Sequence, residues 1–386
     1  LLLWGHYRLL IDLHLNVKNR LNDKNLIMGN LNGLGLAFSK IGRVQESIPY
    51  FEMGLHISQE ENNRGWENVF LGNLGNRYGE LGDAQKAIEF HEKAIVVAHE
   101  IGDRHNEGNW LNGLGNNYGT IGNVRKAIEY YEKALVIARE IGDRRGEGTR
   151  LGNLGNRYGD LGETRKAIEY HEKALVIARE IGDRRSEGGH ITNLGSRYDE
   201  LGETNKALDF YEQSIVIDRE IGDKRGEAID CANMANCWFL LGRSLEAINL
   251  YHEAQDIADN IKFPLMQQSA RQGLAEVACF FQNDLVNARA TIEAALQYDV
   301  PSDNHNATAL HGIIALRQGE RETAQEAFAK SIAQADEILA KTPDYYSALD
   351  AKGLSICGLT ICDLRLGNDD GRRTADDGQS SMVYRQ

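Results

Sequence analysis

Apolar and small residues recur along the chain with the spacing of an α-helix, in segments broken at regular intervals by glycine. Between Ala84 and Glu100, the positions Ala87, His91, Ala94 and Ala98 follow a 4-3-4 spacing with Ile88 and Ile95 beside them. Glu89, Glu92 and Lys93 fall on the opposite side, so the pattern predicts an amphipathic helix with one apolar stripe. A preceding helix is predicted around Trp66 to Leu81. Gly82-Asp83 separates the two and Ile101-Gly102-Asp103 closes the second, because glycine supplies a left-handed C-cap and aspartate caps the helix that follows.

This two-helix pattern repeats every forty residues. Leu111 to Arg150 superposes without a gap on Leu151 to His190 and matches at 29 of 40 positions, and Tyr78, Tyr118, Tyr158 and Tyr198 stand one period apart. One pair of helices cannot cover its own stripe, whereas stacked pairs bury it against their neighbours. The expected fold is therefore all-α, a right-handed superhelical solenoid of helix-turn-helix repeats. The register divides the chain into residues 1–30, the second helix of a truncated repeat; 31–270, six regular units; 271–366, divergent units and a capping helix; and 367–386, a polar and disordered tail. Leu21-Asn22-Asp23-Lys24 aligns with Ile101-Gly102-Asp103-Arg104 and no methionine opens the chain, which favours a piece of a larger protein. Gly312, Gly319, Ala324 and Phe328 recover the pattern late, and Tyr345 to Leu366 is the expected cap.

Leu74-Gly75, Tyr78, Ala87, the ring at position 91 and Ala94 resemble the small-and-large pattern of tetratricopeptide repeats. The unit departs from that family's usual length of about thirty-four residues, and no proline ends its second helix. The Leu-Gly-Asn triplets at Leu71-Gly72-Asn73 and Leu74-Gly75-Asn76 resemble those of spindle-orientation adaptors and kinesin light chains. Similar arrays close bacterial signal-transduction ATPases. The resemblance implies an interaction module whose first helices line a concave groove.

Composition narrows the partners. Forty-three basic residues against fifty-seven acidic ones give a formal charge of −14, which argues against nucleic acid and anionic membranes as ligands. The opening Leu1 to Leu15 is interrupted by His6, Arg8 and Asp12, so no apolar run is long enough to span a bilayer. The five cysteines are odd in number and absent before Cys231, a pattern of reduced thiols in a cytoplasmic protein. Cys357 and Cys362 lack further ligands, so no metal is expected. No phosphate loop, H-E-x-x-H or G-x-S-x-G motif occurs, so the expectation is a non-enzyme without cofactor.

The candidate site is a row of amides and arginines on the first helices: Asn73, Asn76, Arg77, Asn116, Asn153, Asn156, Arg157, Asn193, Arg197 and Asn236. An asparagine amide both donates and accepts, so such a row suits the successive peptide groups of an extended chain. Gly79, Gly119 and Gly159 on the same face are expected to leave room for that ligand's backbone. The alternative is that the asparagines bond one another or cap helices. Glu80, Asp160 and Glu200 can neutralise the arginines, which leaves the sign of the preferred ligand open. Arg104, Arg144-Arg145, Arg184-Arg185 and Lys224-Arg225 form an edge ladder read as self-compensated, and His91 and His171 are read as packing residues. The expected function is a protein-protein interaction module, the sensor or scaffold arm of a larger cytoplasmic signalling protein, binding a peptide or protein ligand. The alternatives are a self-association scaffold, hence a homo-oligomer, and the regulatory segment of an enzyme whose catalytic domain lies elsewhere.

Overall fold

A computed structural model describes residues 6–18, 21–340 and 346–364, and among these there are eighteen helices and no strand. After α1 (Tyr7–Lys18) the helices come in pairs: α2 (Lys24–Lys40) with α3 (Val44–Glu60), α4 (Arg64–Glu80) with α5 (Ala84–Glu100), and α6 (Arg104–Thr120) with α7 (Val124–Glu140). Then follow α8 (Arg144–Asp160) with α9 (Thr164–Glu180) and α10 (Arg184–Glu200) with α11 (Thr204–Ile221); α12 (Lys224–Leu240) and α13 (Ser244–Ile261) come next in the chain. The pairs begin at Lys24 instead of Leu31, so the phase of the period is set by the capping turn, and residues 1–30 hold α1 together with the start of α2. By contacts the chain separates into two units, Leu1–Cys237 and Trp238–Gln386.

The turns explain the regularity. Gly82 and Gly102 stand at φ 80° and 70°, a region open to glycine at little cost, and equivalent glycines recur at nearly every turn of the first unit. Asp103 and Asp143 then cap α6 and α8, accepting from the Asn106 and Gly146 backbone N–H groups at 3.0 and 2.8 Å.

Packing in the first unit follows one rule: a glycine on the first helix of a pair receives a ring from the second. Phe51 lies over Gly35, His91 over Gly75, Tyr131 over Gly115, His171 over Gly155 and Tyr211 over Gly195. A Cβ on Gly115 would stand 2.5 Å from the Tyr131 ring, closer than atoms can approach, so the small residue sets the distance between the helices. The reading of His91 and His171 as packing residues agrees with this geometry.

In the second unit the pattern loosens. Pro264 opens α14 (Pro264–Phe280), and its partner α15 (Leu285–Leu296) is only 12 residues long. The divergent late pair is α16 (Asn304–Gln318) with α17 (Arg321–Leu339), where Phe328 lies over Gly312 and Gly319 takes φ 85°. The expected cap is α18 (Tyr346–Leu364). Residues 367–386, expected to be a disordered tail, lie outside the described residues. No helix among the described residues is long and apolar enough to cross a membrane.

Candidate functional site

The amides of the row are partly committed to the repeats themselves. Asn73 donates to Asn32 Oδ1 at 2.9 Å and Asn153 to Asn112 Oδ1 at 3.0 Å, each from one first helix to the one before it. Both carbonyl acceptors, Asn32 and Asn112, escaped the sequence reading, although they stand two periods apart. The next seams use a different device. Gly72 receives the Trp110 ring, whose indole N–H donates to Asn68 at 2.7 Å, and Gly152 receives His190. Amide pair and ring-in-notch therefore alternate along the stack.

Asn76 and Asn116 orient the ring of their own second helix. His91 Nε2 lies 3.2 Å from Asn76 Oδ1, and Asn117 reaches His91 Nδ1 at 3.0 Å, an arrangement satisfied by a neutral imidazole carrying its proton on Nε2. Burial pulls the His91 pKa down to about 4, so the ring stays neutral near pH 7. The Tyr131 hydroxyl donates to Asn116 Oδ1 at 2.7 Å, and burial pushes its pKa up to about 12, which keeps that donor protonated. His171, at the position of His91 two repeats later, is fully buried, and neither ring nitrogen has a hydrogen-bond partner. Its pKa falls to about 3 through burial and the neighbouring His190 and Arg197.

The arginines of the row are paired as their spacing suggested. Arg77 meets Glu80 at 3.0 Å, Arg157 meets Asp160 at 3.1 Å and Arg197 meets Glu200 at 2.9 Å. The glycines on this face require a correction. A Cβ on Gly79 would meet Asn117 Oδ1 at 2.9 Å, one on Gly119 would meet Arg157 Nη1 at 2.8 Å, and one on Gly159 would overlap Arg197. A side chain of the following repeat stands against each glycine, so these glycines seat neighbours, and of the three only Gly119 also borders open space among the described residues.

One stretch of the row remains open. A cavity of about 400 Å³ is lined by Asn116, Gly119, Thr120, Tyr131, Asn153, Asn156 and Arg157. With Asn116 Oδ1 engaged by Tyr131 and Asn153 Nδ2 engaged by Asn112, the remaining capacity is the Asn116 amide donor and the Asn153 carbonyl, with the half-buried Asn156 amide beside them. The structure gathers four of the ten candidates here, Asn116, Asn153, Asn156 and Arg157. Asn73, Asn76 and Arg77 lie towards one end of the row, Asn193 and Arg197 are half-buried at later seams, and Asn236 is exposed on α12. A second hollow of about 380 Å³ in the other unit, lined by His252, Arg271, Leu274 and Thr291 among others, lies off the row and carried no sequence signal.

The opposite feature, the edge ladder, is closed. Arg104 donates to Glu107 at 2.8 Å and reaches Glu140; Arg144 holds Glu147 and Glu180 in the same way, and Arg184 holds Glu187 and Glu220. Burial alone would raise the Glu147 carboxyl, but hydrogen bonds from Arg139 and Arg144 bring it below the ordinary glutamate value. Each of these arginines already holds two carboxylates, so the ladder has little left to offer a partner.

Paired helices of constant register, stacked through small-for-ring notches, define a helical-repeat solenoid. Residues 66–140, 106–180 and 149–220 each match the tetratricopeptide repeat family model, and residues 66–220 belong to that family. Among solved structures, the chain is similar to a signal transduction ATPase with numerous domains from Pyrococcus horikoshii, a protein with a tetratricopeptide repeat sensor. That match has 20% identity and a TM-score of 0.63 and covers 75% of this chain and 44% of that one. The chain thus spans less than half the length of that ATPase. It is also similar to a Rap protein solved with competence and sporulation factor, at 13% identity and TM-score 0.62 over 86% of this chain and 92% of that one. A third similar structure is the apo quorum sensor NprR from B. thuringiensis, at 15% identity and TM-score 0.61 over 84% and 97%. Identities this low establish a common fold. A search of curated proteins finds no match.

Proposed function

We propose that the chain is a protein-interaction module that holds an extended peptide or protein segment along the amide row, centred on Asn116, Asn153, Asn156 and Arg157. The observation that carries this reading is the open polar cavity at those residues, where amide groups remain unpaired on a face otherwise satisfied by the repeats themselves. Amides without a side-chain partner suit main-chain recognition, since an extended peptide offers a donor and an acceptor at every residue. Two proteins of similar fold, a Rap protein complexed with competence and sporulation factor and a Rap conjugation gene regulator in complex with the Phr* peptide, support a peptide as the kind of ligand. The sensor in the P. horikoshii ATPase supports a place for such an array as the sensing or scaffolding arm of a larger signalling protein.

The test begins with a random peptide library displayed on phage and selected against the full chain. Enriched peptides are then titrated against the Asn153→Ala/Asn156→Ala variant. Two lost hydrogen bonds, each about 0.5–1.5 kcal/mol, weaken binding roughly five- to hundredfold. Enriched peptides that bind the variant with unchanged affinity contradict the assignment of the site.

A further inference from the structure

The terminal helix α18 is amphipathic in the wrong sense for a cap. Its buried stripe, at a 3-4-3-4 spacing, consists of the small residues Ala348, Ala351, Ser355, Gly358 and Cys362, packed on α16 and α17. Leu359 packs inward beside Phe328, but four of the helix's large aliphatic side chains point outward: Leu349, Leu354, Ile356 and Ile361 are 38–48% exposed, around a centre made of Gly353, Cys357 and Thr360. Among the side chains described, Asp350 is the only fully exposed charge on that face. A helix that closes a solenoid ordinarily turns a polar side to water.

The repeats show what this face lacks. Gly358 lies beneath Phe328 as Gly113 lies beneath His91, which sets α18 in register with α6. In that register Gly353, Ile356 and Thr360 correspond to Gly108, Leu111 and Gly115. In α6 those three are covered by its own second helix: Gly108 by Ile137, Leu111 by Ala134 and Ile137, and Gly115 by Tyr131. The exposed face of α18 is therefore the one that a second helix covers in α6, and the sequence of residues 365–386, with Asp369, Asp370, Arg372, Arg373, Asp376 and Asp377, carries no apolar stripe of that kind.

We propose that the exposed face of α18 is covered by the α18 of a second copy of this chain, the two helices packing antiparallel about a two-fold axis. The face is self-complementary, since Leu349 and Ile356 on one side and Leu354 and Ile361 on the other form ridges that fit the low centre at Gly353, Cys357 and Thr360 of the partner. Charge points the same way. Two chains of formal charge −14 repel across most of their surfaces, whereas the described side chains of this face bring one exposed acid from each, Asp350, held at opposite ends by the antiparallel arrangement. A helix of 19 residues is about 28 Å long, and one such pair buries less than the roughly 1,200–2,000 Å² of a standard interface, so the dimer is weak.

Sedimentation equilibrium of the full chain over about 1–300 μM, a range that brackets weak association, is the test. The weight-average mass is expected to rise from 43.1 kDa towards twice that value, and to rise further when salt screens the net charge. Ile356→Glu should hold the chain monomeric with its helical circular dichroism unchanged. Val136→Glu, a control on the exposed side of α7, should leave association intact. A chain that stays monomeric throughout, an Ile356→Glu variant that associates as before, or growth beyond the dimer into open oligomers overturns the proposal.

Discussion

At the scale of single residues, the seam between α10 and α12 departs most from the pattern. The position held by Trp110 in one seam and His190 in another is Asp230, which is fully buried. Its Oδ2 accepts from the Thr192 hydroxyl at 3.2 Å, while Oδ1 has no partner. Burial pushes its pKa to about 7, and that of nearby Asp218 to about 6. Because Asp230 holds its proton more tightly folded than unfolded, its contribution to stability is present below the unfolded value of about 4 and is lost as pH rises through about 7. Asp230→Asn, which cannot ionise, should therefore melt several degrees above the wild type at pH 8, with the gap shrinking towards pH 5. A gap independent of pH would show that the carboxyl is not being forced to ionise inside the seam. His91 and His171 work in the opposite sense, since their depressed pKa values cost stability as pH falls below about 6.5. The acid was visible in the sequence as a break in the pattern, but its burial was not, because burial depends on Thr192 and Ser214 in the preceding repeat.

At the scale of the element, the helices and their ends were legible because each boundary carries a local signal: glycine at positive φ, then an aspartate cap. The expected helices around Trp66 to Leu81 and Ala84 to Glu100 correspond to Arg64–Glu80 and Ala84–Glu100. Contacts between repeats were less legible. Gly79, Gly119 and Gly159 read as open space because the side chains that fill it, Asn117, Arg157 and Arg197, come from 38 residues further on, beyond the reach of helical spacing. The notch rule makes a paired prediction. Gly155→Ala brings a Cβ within 2.7 Å of the buried His171 ring and should destabilise the chain by about 1–3 kcal/mol, despite the better helix propensity of alanine. Gly189→Ala, on the next first helix, meets nothing within 4 Å and should stabilise it by about 0.5–1 kcal/mol. Urea denaturation of the two variants checks this, and equal effects of the same sign would remove the distinction between notch and surface glycines.

At the scale of the whole molecule, repetition supplies a long face while the exceptions to it supply the proposed site. The row of ten amides and arginines was legible as a row; which of its members remain free was not, because the alternation of amide pair and ring-in-notch depends on what Asn32, Asn112, Gly72 and Gly152 contribute from neighbouring repeats. The proposed ligand lies over Asn116 to Arg157. That position is tested most directly by placing a photoreactive benzophenone amino acid at Thr120, which lines the cavity, and separately at Val136, which is exposed on α7. With a selected peptide present, irradiation should attach the peptide at Thr120 and leave Val136 unmodified; attachment at Val136 with none at Thr120 would contradict the assignment and move the ligand to the side formed by the second helices.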